Sequence, residues 1–162
     1  MAVLPLRFVP DPVLRQKARR VPGVDTRLEK LVADMIETMV AAPGVGLAAP
    51  QVGVSWRVAV IGMPDEESMV LINPAVVRRT GERLVEEGCL SLPSYRGEIK
   101  RSVSVTVKAR NLRGKEFRIK AEGLLAQALE HEIDHLNGVL YVDHLESPDA
   151  LYRIQPEEEH GL

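Results

Sequence analysis

One cysteine, Cys89, stands among 162 residues, so no internal disulfide can form and a reducing compartment is expected. Aromatic residues make up only 4% of the chain, too few for platforms on which nucleic-acid bases stack. Neither sign of charge is in excess: a net charge of −2 argues against a general nucleic-acid binder. No apolar run approaches the ~20 residues of a membrane span, so no membrane partner is expected. Met1-Ala2-Val3-Leu4-Pro5 has no basic region followed by a long apolar core, so no secretory signal is expected. Internal repeats, linkers and low-complexity segments are also missing. Hydrophobic content of 45% and charged content of 27% are ordinary for a globular protein, and residues 1–162 are read as a single domain.

What is present centres on His131-Glu132-Ile133-Asp134-His135. On a helix, His131 and His135 share one face and can hold one metal ion. Glu132 then sits beside them, where it can reach a water. Two neutral imidazoles and a carboxylate are parts that activate water at neutral pH. Gly123 is the expected start of this helix and Gly138 its stop. Leu124, Ala128, His131 and His135 fall on one face; Leu125, Leu129, Ile133 and Leu136 fall on another. A helix apolar on two faces is buried, so the histidines point inward. The bland alternative is a pair of core histidines with satisfied hydrogen bonds.

The other elements follow from local patterns. Asp11-Pro12 caps a short helix through about Arg19. Leu28, Leu31, Val32, Met35, Ile36, Met39 and Val40 recur at helical spacing, giving a helix from Asp25 to Ala42. Gly44-Val45-Gly46-Leu47-Ala48-Ala49-Pro50-Gln51 is either a tight connection or a place where backbone approaches a ligand. It is no phosphate loop, because no Lys-Ser/Thr follows. Strands are expected at 56–61, 69–72, 74–79 and 82–86. Val103 to Ala109 alternates, turns at Asn111–Gly114, and returns through Phe117, Ile119 and Ala121 as a hairpin. Ser147-Pro148-Asp149 starts a last short helix stopped by Pro156, and Glu157–Glu159 is a solvated tail. Segregated strands and helices with many hairpins imply an α+β fold, with largely antiparallel sheets packed around the buried, metal-binding C-terminal helix.

A catalytic zinc-type site has three protein ligands and one open position. The spacing of metzincin proteases would put a third histidine where Tyr141 stands, which disfavours that family. A downstream glutamate is limited to Glu146 or the tail. His144 is a weak candidate whose plain reading is a surface histidine. Cys89 is the better one, since a thiolate suits borderline and soft metals. As alternatives it is a small buried hydrophobe or a nucleophile paired with histidine.

Three segments coincide: GVGLAAPQ at 44–51, EGCLSLP at 87–93 and HEIDHLNG at 131–138. In order and spacing they resemble the three signature motifs of the peptide deformylase family, and Asp11-Pro12-Val13-Leu14-Arg15 is similar as well. The resemblance implies a metal-dependent hydrolase that removes the formyl group from the N-terminal formyl-methionine of newly made polypeptides, releasing formate. By motif match, Cys89, His131 and His135 would be the metal ligands and Glu132 the general acid/base. Gln51 and the Leu90 N–H would be the oxyanion donors. Gly46 would line the substrate cleft, and Arg96 would meet the substrate backbone at its mouth. The family's usual metal is Fe2+, and Zn2+, Ni2+ or Co2+ can occupy the site. Ile99, Leu125 and Leu129 are candidates for the methionine pocket. A bacterial-type cytoplasmic enzyme is implied, and a mature organellar form fits equally. Transient proximity to the ribosome is implied by a nascent substrate, but the short acidic tail departs from relatives that dock through a longer basic helix. Direct nucleic-acid binding is not expected.

Overall fold

Asp25 caps helix α1 (Thr26–Ala41), its carboxylate accepting from the Leu28 N–H at 2.9 Å. Leu28, Val32, Met35 and Met39 form the buried stripe that the helical spacing predicts. The strands follow as β1 (Gly46–Ala48), β2 (Val58–Ile61), β3 (Met69–Thr80), β4 (Arg83–Cys89), β5 (Leu92–Arg101), β6 (Ser104–Arg110), β7 (Glu116–Glu122) and β8 (Leu151–Arg153). Helix α2 (Gly123–Leu136) comes between β7 and β8. The computed structural model describes residues 2–155.

All strand pairs are antiparallel. One sheet runs β1-β2-β3-β6-β7 and the other β4-β5-β8. Alternation along β2 divides the core. Val58 and Val60 pack with the α1 stripe, whereas Ala59 and Ile61 pack with Ala128, Leu129, Ile133 and Leu136 of α2. Ten of the fourteen α2 residues are buried, so the helix is interior, as its two apolar faces predict. The fold is α+β with antiparallel sheets around a buried helix. Among the described residues, no helix is long and apolar enough to cross a membrane.

Several local expectations shift. The first helix is one 3-10 turn, Pro12–Arg15, because Gln16 is extended and the Ala18 N–H is taken by the Leu136 carbonyl at 2.8 Å. The two strands expected at 69–72 and 74–79 are one, β3, bent at Asn73. That residue takes φ +51°, and its side-chain amide holds the Val21 backbone with two 2.8 Å hydrogen bonds. Strand β5 has no counterpart in the sequence reading. The last helix is a single 3-10 turn, Pro148–Ala150, leading straight into β8. Leu124, assigned to the histidine face, is 38% exposed. Pro156 and Glu157–Glu159 lie outside the described residues. Gly138 does stop α2, at φ +75°. A Cβ there would also stand 2.8 Å from the Arg15 carbonyl carbon, so the α2 terminus and the Pro12–Arg15 turn need glycine between them.

Candidate metal centre

Helical spacing puts His131 and His135 one turn apart, and both rings are buried. Their Nε2 atoms lie 3.1 Å from each other. Strand β4 ends at Cys89, whose Sγ is 3.2 Å from His135 Nε2. The three ligand atoms lie within 4.8 Å of one another, the one group of this kind among the described residues. His144 and Glu146 are elsewhere. His144 Nε2 donates to the Asp134 carboxylate at 2.9 Å, and Glu146 pairs with Lys100 at 3.0 Å on the surface. Tyr141 is buried beside Cys89 and Ile99 as a packing residue.

The electrostatics favour positive charge at this point. The Glu87 carboxylate meets His131 Nδ1, so Nε2 is the nitrogen left to face the cluster. Burial opposes a charged His131, yet the carboxylates of Glu87 and Glu132 hold its pKa well above the usual value. Burial and the neighbouring His131 push His135 well below, so that ring stays neutral. A site that stabilises one added cation between a neutral imidazole, a carboxylate-backed imidazole and a thiol fits a soft or borderline divalent metal.

Glu132 lies against this cluster, 1% exposed, and its Oε1 has no hydrogen-bond partner among the described residues. Burial pushes its carboxyl up to about 7; His131 works against that shift and Glu87 adds to it. Gly46, buried in β1, backs directly onto this side chain: a Cβ there would stand 2.9 Å from Glu132 Cδ. The glycine therefore makes room for the carboxylate. Gln51 sits in the 3-10 turn Ala49–Val52, its Oε1 accepting from the Ala48 N–H at 3.0 Å. Its Nε2 is 3.6 Å from Cys89 Sγ and 3.1 Å from Ser91 Oγ. Leu90, half-buried, lines a cleft together with Cys89 and Arg96. Glu132 and Gln51 thus lie against Cys89, His131 and His135, Gly46 lies behind Glu132, Leu90 follows Cys89 in the chain, and Arg96 lines the cleft that Cys89 and Leu90 share. Of the methionine-pocket candidates, Ile99 and Leu129 are fully buried and have no surface to offer a ligand; Leu125 packs half-buried against the main core.

Sequence reasoning missed the support behind the ligands. Arg101 clamps Glu87 with hydrogen bonds of 3.0 and 2.6 Å and reaches Asp134 at 2.7 Å. Gln127 adds an amide to Glu87 at 3.1 Å. Burial alone would raise the Glu87 carboxyl, but His131 and Arg101 hold it at about 2. Two of these residues lay inside recognised segments. Glu87 opens the cysteine motif, and Asp134 stands between the two histidines.

A model of the polypeptide deformylase family matches residues 3–150. A peptide deformylase of Dehalococcoides mccartyi (strain CBDB1) is 53% identical over 160 residues, spanning 98% of this chain and 96% of that protein. The crystal structure of a peptide deformylase from Legionella pneumophila superposes with a TM-score of 0.88 at 48% identity, covering 92% of this chain and 89% of that one. That of a Synechococcus elongatus peptide deformylase in complex with actinonin gives 0.89 at 41% identity, with 93% and 82% covered. With a family match along most of its length and relatives this close, the chain belongs to the peptide deformylase family.

Proposed function

We propose that the Cys89–His131–His135 cluster is where this chain performs its family's reaction. That reaction is metal-dependent removal of the formyl group from the N-terminal formyl-methionine of newly made polypeptides, with release of formate. The chain is an enzyme, an amide hydrolase. One observation carries the assignment: three ligand atoms within 4.8 Å of one another, with the unpartnered Oε1 of Glu132 beside them.

Cys89, His131 and His135 would hold the ion. Once bound, the ion supplies Lewis acidity and brings the pKa of a water from ~15.7 toward ~7. Glu132 takes the proton from the attacking water and returns it to the leaving amine nitrogen as the formyl C–N bond breaks. The Gln51 amide and the Leu90 N–H donate to the oxygen that gains charge; losing one such donor typically costs ~2.7–4 kcal/mol of barrier. The peptide adds as a strand along Gly46, which lies on β1 at an edge of the large sheet, with Arg96 at the cleft mouth. Fe2+ is the ion assigned, and Zn2+, Ni2+ and Co2+ suit the same donors. Residues 1–162 work as one domain, a reading supported by α2 packing on the large sheet while Gln127 hydrogen-bonds to Glu87 of the small one. The working place is the cytoplasm near the ribosome, where nascent chains emerge.

Formate release from a formyl-Met peptide, measured beside metal content after anaerobic purification, tests this. Cys89→Ala should lose metal and turnover together. Glu132→Ala should keep metal and lose ~10²–10⁴-fold in rate. Full metal binding by Cys89→Ala would remove the thiolate from the ligand set.

A further inference from the structure

The large sheet is covered unequally. Its β1-β2 half has α1 on one face and α2 on the other. Its β3-β6-β7 half has α2 on one face; on the other, Val70 and Ile72 at the start of β3 pack in the α1 cluster, Ile72 opposite Arg110, and the stretch beyond them has no helix over it. Val105, Val107 and Ala109 of β6, and Phe117, Ile119 and Ala121 of β7, face that helix. The residues between them therefore face outward. These include Lys108 and Arg110 on β6 and Arg118 and Lys120 on β7, with Arg78 of β3 opposite Thr106 on the same face.

Two features single this face out. Lys108 and Arg118 are direct cross-strand partners, an arrangement of like charges that weakens a sheet. No carboxylate among the described residues forms an ion pair with Arg78, Lys108, Arg118 or Lys120. Glu116, opposite Arg110 at one end of the face, and Glu122 at the other leave the centre uniformly basic. A net charge of −2 for the whole chain hides this asymmetry.

We propose that the outer face of β3-β6-β7 is a docking surface for RNA, held through phosphates without base reading. Charge complementarity commits the face to a polyanion. The absence of an aromatic side chain among these outward positions excludes base stacking and leaves backbone contact. The face is turned away from α2, so an RNA bound there leaves the Cys89–His131–His135 cluster open. An enzyme whose substrate is a nascent chain would thereby be held beside the RNA-rich particle that makes it.

The test uses the full-length, metal-loaded protein and a fluorescent 16-base-pair RNA duplex, titrated between about 50 and 200 mM salt. Lys108→Glu and Lys120→Glu are the variants. The first gains Arg118 as a cross-strand partner and should fold at least as well as the parent. Lys17→Glu, off the sheet and exposed, applies the same charge change as a control. Each sheet variant should weaken duplex binding at least tenfold and reduce the salt slope, while Lys17→Glu changes it less than twofold and formyl-Met peptide turnover is unchanged in all three. The proposal is overturned by no duplex binding at the lowest salt or by equal weakening in Lys17→Glu. Tighter binding to phosphatidylserine vesicles than to the duplex also overturns it.

Discussion

Glu87 and His131 are 44 residues apart in sequence, and the carboxylate of one meets Nδ1 of the other in a fully buried contact. The contact turns the imidazole so that Nε2 faces Cys89 and His135, and it ties the ligand to Arg101 and Asp134. His131, a proposed metal ligand, is thus positioned by a carboxylate that stands outside the Cys89–His131–His135 cluster.

Glu87→Gln removes the charge behind His131 while keeping the size of the side chain. It also leaves the Arg101 guanidinium, 3% exposed, without its main counter-charge. Metal affinity should fall ~10–100-fold, read by competition against a chromogenic chelator. An unchanged affinity would show that Glu87 serves packing alone.

Gly46→Ala puts a methyl group against the Glu132 carboxyl. The carboxylate must move, and a shift approaching 1 Å at a catalytic group can cost ~10²-fold in rate. Turnover of a formyl-Met peptide should drop by at least tenfold with metal content intact. Parent-like turnover would mean that Glu132 has room to step aside.

The buried Glu132 gives the metal-free protein a pH dependence of known sign. Its carboxyl sits at about 7 in the fold against 4.5 in its absence, so the fold favours the protonated form. That preference is fully expressed below 4.5 and is lost as pH rises from there through about 7. The interval corresponds to about 3 kcal/mol at most. Metal-free Glu132→Gln, neutral throughout, should therefore be more stable than the metal-free parent at pH 8 by ~1–3 kcal/mol, and nearly equal to it at pH 4. Denaturant unfolding at the two pH values decides it; equal stabilities at pH 8 would contradict the burial effect.

His144→Ala should leave metal content unchanged, because His144 bonds to Asp134 and stands outside the ligand cluster. With 37% of its side chain exposed, the lost contact should cost under ~1 kcal/mol in thermal unfolding. Loss of metal would reinstate it as a ligand.

The two histidines were legible in the sequence because helical spacing is local: residues four apart share a face whatever the chain does elsewhere. Helix α1 and the β6-β7 hairpin were legible for the same reason, each carrying its period and its cap or turn within about twenty residues. Strand β5 was not. Leu92–Arg101 alternates poorly, and it is a strand because β4 and β8 pair with it on either side. Gly46 was placed at the substrate by motif, while its contact with Glu132 depends on β1 lying across α2.

The sequence by itself determined the helix that carries both histidines, the residue types of the cluster and, through three motifs, the family. Tertiary structure alone decided that Gly46 backs onto Glu132, that Glu87 stands behind His131, and that the cations of β3, β6 and β7 share one face. The physical reason is range. Periodicity and capping act between near neighbours, whereas those three relationships join segments brought together only by strand pairing and core burial.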